Sequence, residues 1–222
     1  MCRVKICGIK SVHEGKLADR LGADALGLLV GQIHTSDDFI SPQMALEICT
    51  AISPYIVPVL VTHLEDPGSI VELARLLPCP TIQLHGDITV TLLRELSRLL
   101  RPKRLIARVS VEGETSIQRA VELSAYADAI VLDTIDRSTD RVGGTGLVHD
   151  WSISARIVKE SRVPIVLAGG LTPENVGEAV RIVKPWAVDV NSGVKKRDGA
   201  KDAKRISSFI KSVRGLEKRA FA

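Results

Sequence analysis

Aromatic side chains are scarce in this chain of 222 residues: three Phe, two Tyr and two Trp, or 3 % of the whole. That leaves few platforms on which single-stranded nucleic acid could stack, so no nucleic-acid partner is expected. Long apolar runs are missing too. The longest are strand-sized, which excludes a helical membrane span and a membrane partner. The N-terminal stretch Met1-Cys2-Arg3-Val4-Lys5-Ile6-Cys7 has neither the apolar core nor the small-residue cleavage site of a secretion signal. The four cysteines, at positions 2, 7, 49 and 79, show no paired zinc-ligand spacing. They argue for free thiols in a reducing cytoplasm and against a metal site.

What is present suits one large α/β unit. The apolar share, 45 %, is ample for a core. The net charge of +4 is uneven: from Lys195 onward there are ten Lys/Arg and three acids. This end reads as a solvated last helix followed by a basic tail over residues 214–222 that frays, with the folded domain over 1–213.

Eight short apolar runs recur at about one helix length. They are Val4–Ile9, Ala25–Val30, Val57–Val61, Thr81–His85, Leu105–Val109, Ala129–Asp133, Ile165–Leu167 and Ala187–Val190. Helix-start signals fall between them: the capping-box pattern Ser11-x-x-Glu14, Ser41-Pro42, Gly86-Asp87 ahead of a leucine-rich helix, and Thr172-Pro173. No hairpin signal separates the strands. The expectation is a single (β/α)8 barrel of eight parallel strands joined by right-handed crossovers, with a doubly wound open sheet as the rival. A faint echo, Gly22-Ala-Asp-Ala25, Tyr126-Ala-Asp-Ala129 and Trp186-Ala-Val-Asp189, marks three helix-to-strand junctions.

Ligands of such barrels bind at the C-terminal ends of the strands. That rule selects Cys7, Gln83, His85, Arg108, Asp133, Gly169, Gly170, Asp189, Asn191 and Ser192. Alternation puts Lys5 on one face with Cys7, Val131 with Asp133, and Gln83 with His85. A carboxylate ending an apolar strand is costly without a task or partner, which singles out Asp133; a structural ion pair or helix cap is the alternative. Cys7 also reads as a small buried hydrophobe, and His85 as a structural histidine. Gly169-Gly170, before a capped helix start, suits an anion such as phosphate, or a tight turn without a ligand. Gly143-Gly144-Thr145-Gly146 reads as a second anion-binding or lid segment.

Several segments together resemble the signature of the phosphoribosylanthranilate isomerase family. They are Lys5-Ile6-Cys7-Gly8-Ile9, Gln83-Leu84-His85-Gly86-Asp87, Leu132-Asp133-Thr134, Gly143–Gly146, Asp150-Trp151, Ala168-Gly169-Gly170-Leu171 and Asp189-Val190-Asn191-Ser192-Gly193. The resemblance implies a (β/α)8 barrel, monomeric or homodimeric, that performs a cofactor-free Amadori rearrangement in tryptophan biosynthesis. It implies Asp133 as general acid and Cys7 as general base. It also implies a phosphate site at Gly144, Gly169, Gly170, Asn191, Ser192 and Gly193, and substrate contacts from Gln83, His85, Arg108, Asp189 and the residue at position 38. Burial should raise the pKa of Asp133, and Lys5 or the start of the first helix should favour the Cys7 thiolate.

The pattern departs from the family on one side. Where an arginine usually grips the anthranilate carboxylate stands Asp38, followed by Phe39. Leu28 and Val30 take places where phenylalanines are usual, Lys195 replaces a common glutamate, and His149 a common phenylalanine. Lys10, Arg108 or Arg141 could supply the missing cation. An isomerase for another N-ribosyl phosphate lacking the carboxylate, or a non-catalytic sugar-phosphate-binding barrel, are the alternatives.

Overall fold

Both faces of the expected strands are apolar, and a computed structural model shows where each face goes. It describes residues 2–33, 36–136, 141–142 and 149–220. The chain alternates strand and helix: β1 (Arg3–Ile6), α1 (Val12–Arg20), β2 (Ala25–Leu29), α2 (Pro42–Ala51), β3 (Val57–Thr62), α3 (Pro67–Leu76), β4 (Thr81–Leu84), α4 (Val90–Leu99), β5 (Arg104–Ser110), α5 (Thr115–Leu123) and β6 (Ala129–Asp133). Then come β7 (Ile135–Asp136), β8 (Arg141–Val142), α6 (Trp151–Glu160), β9 (Ile165–Leu167), α7 (Val176–Val183), β10 (Ala187–Val190) and α8 (Ala203–Ala220). Eight strands close in the order β1-β10-β9-β6-β5-β4-β3-β2, all parallel, and closure excludes the open sheet. The antiparallel pair of β7 and β8 stands apart from the barrel and was not signalled by any turn dipeptide.

Outward strand residues such as Ile6, Leu28, Leu60, Ile82, Leu132 and Val188 join Ala18, Ile48, Leu93, Ile157 and Phe209 of the helices in one core. The inward residues form two smaller clusters. Cys7, Leu29, Val59 and Val61 make one; Val131, Val166, Ala168 and Ala187 make the other, with Ile106 against both. Leu28 and Val30 therefore do not wall the barrel mouth, as their alignment with phenylalanines suggested; they pack outward, and Leu29 faces in. A strand buried on both faces carries no polar alternation from which to read that choice.

The helix starts follow local chemistry. Ser11 Oγ accepts the Glu14 N–H at 3.2 Å. Glu14 does not close the box on Ser11: its carboxylate accepts the N–H groups of Lys10 at 2.8 Å and Lys201 at 2.9 Å. Ser41 caps α2, with Pro42 opening the helix. α4 begins later than Gly86-Asp87 suggested, because Thr89 is the residue that caps it. Likewise a turn over 172–175 precedes α7, with the Thr172 N–H donating to Asn175 Oδ1.

The echoed Ala-Asp pairs have a physical origin at the barrel's lower rim. Asp24 donates its N–H to Val4 O and accepts the Val4 N–H on its carboxylate; Asp128 does the same with Leu105. The third copy differs, since Asp189 lies within β10 and turns into the barrel.

Phe209, Ile206, Ile210 and Val213 bury one face of α8. We expect Phe209→Ala to lower unfolding stability by about 3–5 kcal/mol, read as a lower urea midpoint at unchanged slope.

Candidate active site

The upper ends of the strands enclose a cavity of about 260 Å³. Its lining includes Cys7, Leu29, Asp38, Phe39, Val61, His63, Gln83, His85, Asp133, Gly169, Gly170, Asp189, Asn191, Ser192 and Lys195. Most residues picked from strand ends meet here. Arg108 lies just behind, its Nε 3.8 Å from Asp133 Oδ2, and opens onto a separate cleft. Gly193 supports the turn after β10: a Cβ there would stand against the Leu171 carbonyl oxygen. Gly144, like its neighbours from 143 to 148, lies outside the described residues, as does the Arg141 side chain.

Asp133 ends β6 and is buried. Its Oδ1 accepts the Thr134 N–H at 2.8 Å, and its Oδ2 lies 3.4 Å from His85 Nε2. Gln83 Nε2 lies 3.2 Å from His85 Nδ1. If the amide donates there, the imidazole proton is left on Nε2, facing Asp133. Burial pushes the Asp133 carboxyl up, as the sequence suggested. The His85 contact, the Arg108 charge and the Thr134 N–H together outweigh it, and the net direction is down. Behind Asp133, His149 bridges Thr134 Oγ1 at 3.0 Å and Ser154 Oγ at 2.7 Å, so the residue that replaces phenylalanine anchors the start of the β6 loop.

Cys7 follows β1 across the barrel. Below it, Lys5 Nζ is 2.6 Å from Asp189 Oδ2, an ion pair sealed from solvent. Asp189 and Cys7 hold the Lys5 pKa above its ordinary value against the effect of burial. For Cys7 burial dominates: Lys5 and Lys201 favour the thiolate, Asp189 opposes it, and the thiol pKa ends raised. The net direction at Asp133 is thus opposite to expectation; at Cys7, Lys5 favours the thiolate as expected, but burial outweighs it. Both directions favour an ionised Asp133 and a protonated Cys7 at neutral pH.

Two ends of the cavity differ in character. After β9, Gly169 and Gly170 turn with φ of 76° and 66°, and a short helix over Ser192–Val194 follows β10. Beyond β2 and β3 the wall is apolar: Leu29, Val61 and Phe39, whose ring meets His63 edge-on at 5.0 Å. Asp38 adjoins this end but is not a bare charge. Lys195 Nζ lies 2.5 and 2.6 Å from its two oxygens, and Asn191 Nδ2 donates to it at 2.9 Å. Burial raises the Asp38 pKa, but Lys195 and Asn191 bring it below the usual carboxylate value. Asn191 in turn accepts Lys201 Nζ on Oδ1 at 2.8 Å.

His63, Lys195 and Lys201 were missed as site residues. His63 stands one residue beyond β3, at the strand-end position that the rule should have covered. Lys195 was noted for standing where a glutamate is common but was not taken as the missing cation, and Lys201 was absorbed into the basic C-terminal stretch, yet Lys201 is 3 % exposed. Burial, and Lys195 nearby, hold its pKa down to about 8.

A family model described as N-(5'phosphoribosyl)anthranilate (PRA) isomerase matches residues 4–212. The chain is 46 % identical to N-(5'-phosphoribosyl)anthranilate isomerase 2 of Methanosarcina mazei, over 94 % of this chain and 92 % of that protein. It is 38 % identical to the N-(5'-phosphoribosyl)anthranilate isomerase of Natronomonas pharaonis, over 98 % and 100 %. The fold matches phosphoribosyl anthranilate isomerase from Thermotoga maritima with a TM-score of 0.85 at 35 % identity, covering 97 % of this chain and 100 % of that one. A phosphoribosyl anthranilate isomerase in complex with reduced 1-(o-carboxyphenylamino)-1-deoxyribulose 5-phosphate gives 0.82 at 34 %, with the same coverage.

Alkylation by iodoacetamide needs the thiolate, so Cys7 should react with a midpoint above that of an ordinary thiol. Replacing the ion pair, Lys5→Met with Asp189→Asn, removes more help than hindrance. It should move the midpoint further up; peptide mapping of the alkylated protein across pH measures both, and an unchanged profile would rule Lys5 out as the counter-charge.

Proposed function

The chain belongs to the N-(5'-phosphoribosyl)anthranilate isomerase family, and from that premise we propose how its barrel mouth performs the family's reaction. The reaction is the Amadori isomerisation of N-(5-phosphoribosyl)anthranilate to 1-(2-carboxyphenylamino)-1-deoxyribulose 5-phosphate. The observation that carries the reading is one cavity that presents Cys7 and Asp133 from strands across the barrel, between a glycine-rich end and an apolar end.

Backbone N–H groups at Gly169, Gly170, Ser192 and Gly193 suit the phosphate, which moors the sugar. Asp133 protonates the furanose ring oxygen as the C1–O bond breaks, leaving an iminium at C1 and nitrogen. Cys7 removes the C2 proton, and the enolamine formed tautomerises to the ketone. His85, itself held by Gln83, orients the Asp133 carboxyl and its proton. Arg108 and Asp189 support from beneath and behind, rather than by direct contact with the aglycone.

The step needs the proton on Asp133 and the charge on Cys7, whereas the free site favours the opposite arrangement. The two arrangements carry the same number of protons. Their ratio is therefore constant between the two pKa values, and the competent form is neither gained nor lost as pH moves within that window. After proton transfer the groups stand in the arrangement that the resting site prefers, so the proton has to return from Cys7 to Asp133 before the next turnover.

Two measurements follow. The purified protein should consume phosphoribosylanthranilate, seen as loss of its fluorescence, and Asp133→Asn or Cys7→Ser should each lower kcat by about 10²–10⁴-fold with little change in KM. Wild-type inactivity, or an Asp133→Asn variant as fast as wild type, would refute the assignment. The profile of kcat/KM against pH should be a broad plateau. It should fall on the acid side only as Asp133 takes up a proton, below the ordinary aspartate range, and on the alkaline side only as Cys7 loses one, above the ordinary thiol range.

A further inference from the structure

We propose that Lys195, held in place by Asp38, receives the aryl carboxylate of the substrate and so sets the preference for an anthranilate aglycone. This rests on the reaction assigned above and extends it to the end of the substrate that the acid, base and phosphate turn do not touch.

An aryl carboxylate drawn into the mouth loses water and needs a cation in exchange. Among the described residues lining the cavity, Lys195 is the one lysine or arginine. Of the other basic groups nearby, Lys5 and Lys201 are committed elsewhere, and Arg108 does not line the cavity, although its Nε and Nη2 are buried without a hydrogen-bond partner. Lys5 lies a layer below, paired with Asp189. Lys201 donates to the Asn191 carbonyl and side-chain oxygens. Arg108 lies behind Asp133, on a cleft shared with Asp87, Glu112 and Glu122.

The position also fits. Lys195 follows the short helix after β10, and its ammonium reaches past β1 to Asp38, beyond β2. That puts it beside Phe39, at the apolar end suited to the aryl ring and away from the glycine-rich turn after β9. An ammonium has three N–H groups; the two Asp38 oxygens engage at most two, and the side chain keeps 18 % exposure. Asp38 fixes the lysine's direction, and Lys201, reaching Asp38 through Asn191, offsets the second negative charge.

The test compares kcat/KM for phosphoribosylanthranilate and for N-phosphoribosylaniline, which lacks the carboxylate, in wild type, Lys195→Met and Lys195→Met/Asp38→Asn. Wild type should prefer the carboxylated substrate by roughly ten- to hundredfold through KM, and Lys195→Met should abolish the preference while leaving the aniline substrate within about threefold. The double variant should not restore it, because neutralising Asp38 supplies no cation. Restoration would overturn the proposal by showing that Lys195 serves only to screen Asp38. Equal losses on both substrates would overturn it in favour of a phosphate or structural role, and no loss would assign the carboxylate to another group. Wild-type inactivity on both substrates would refute the reaction itself. Calorimetric binding of the two reduced, unreactive products would then decide the role of Lys195: tighter binding of the carboxylated one in wild type but not in Lys195→Met supports it, and equal binding in both overturns it.

Discussion

Lys5 and Asp189 meet at 2.6 Å inside the barrel, where the first strand closes on the last. They stand directly opposite one another in the β1–β10 register. Burying both ions is costly, and either one alone would be more so, which makes the pair intolerant of slippage at the seam. It also dictates its neighbour. On β2 the inward position is Gly27, where an added Cβ would stand 2.5 Å from Cys7 Sγ and 3.0 Å from Lys5 Nζ. The seam thus fixes the height of Cys7 in the mouth and the counter-charge beneath it.

Above that layer, burial alone would leave both Asp133 and Cys7 neutral. Their neighbours overturn this at Asp133 and not at Cys7. Asp133 faces His85, Arg108 and the Thr134 N–H, all favouring the anion. Cys7 shares its lysine with Asp189, so the help it receives is partly cancelled. In the mechanism proposed above, the chemistry is then a redistribution of one proton at constant charge between two groups on different strands. That is compatible with a rigid site, because no ion has to enter or leave for the competent form to appear.

Much of this was legible because it is local. A strand's C-terminal end, together with period-two alternation, located Cys7, Gln83, His85, Asp133 and Asp189, since both rules act within a few residues. What escaped depends on partners far along the chain. Asp38 and Lys195 are 157 positions apart, so each was noted as a departure without the other as its partner. The pKa direction of Asp133 failed for the same reason, since the charges that oppose its desolvation come from other strands; that of Cys7 failed because burial outweighs the lysine that was inferred correctly. The inward choice of Leu29 over Leu28 was hidden because both faces of β2 are apolar.

Taken alone, Asp38 makes the mouth repel a carboxylate. Taken with its partners it does not, because at contact distance the nearest opposite charge dominates the field that a ligand meets. Glu14, Lys201, Asn191, Asp38 and Lys195 form a continuous hydrogen-bonded chain from the start of α1 to the loop beyond β2. Its ion pair is Asp38 with Lys195, since Glu14 accepts the backbone N–H of Lys201 and Asn191 is a neutral amide. The loops after β10 and β2 converge over β1, so that side chains remote in sequence share one wall.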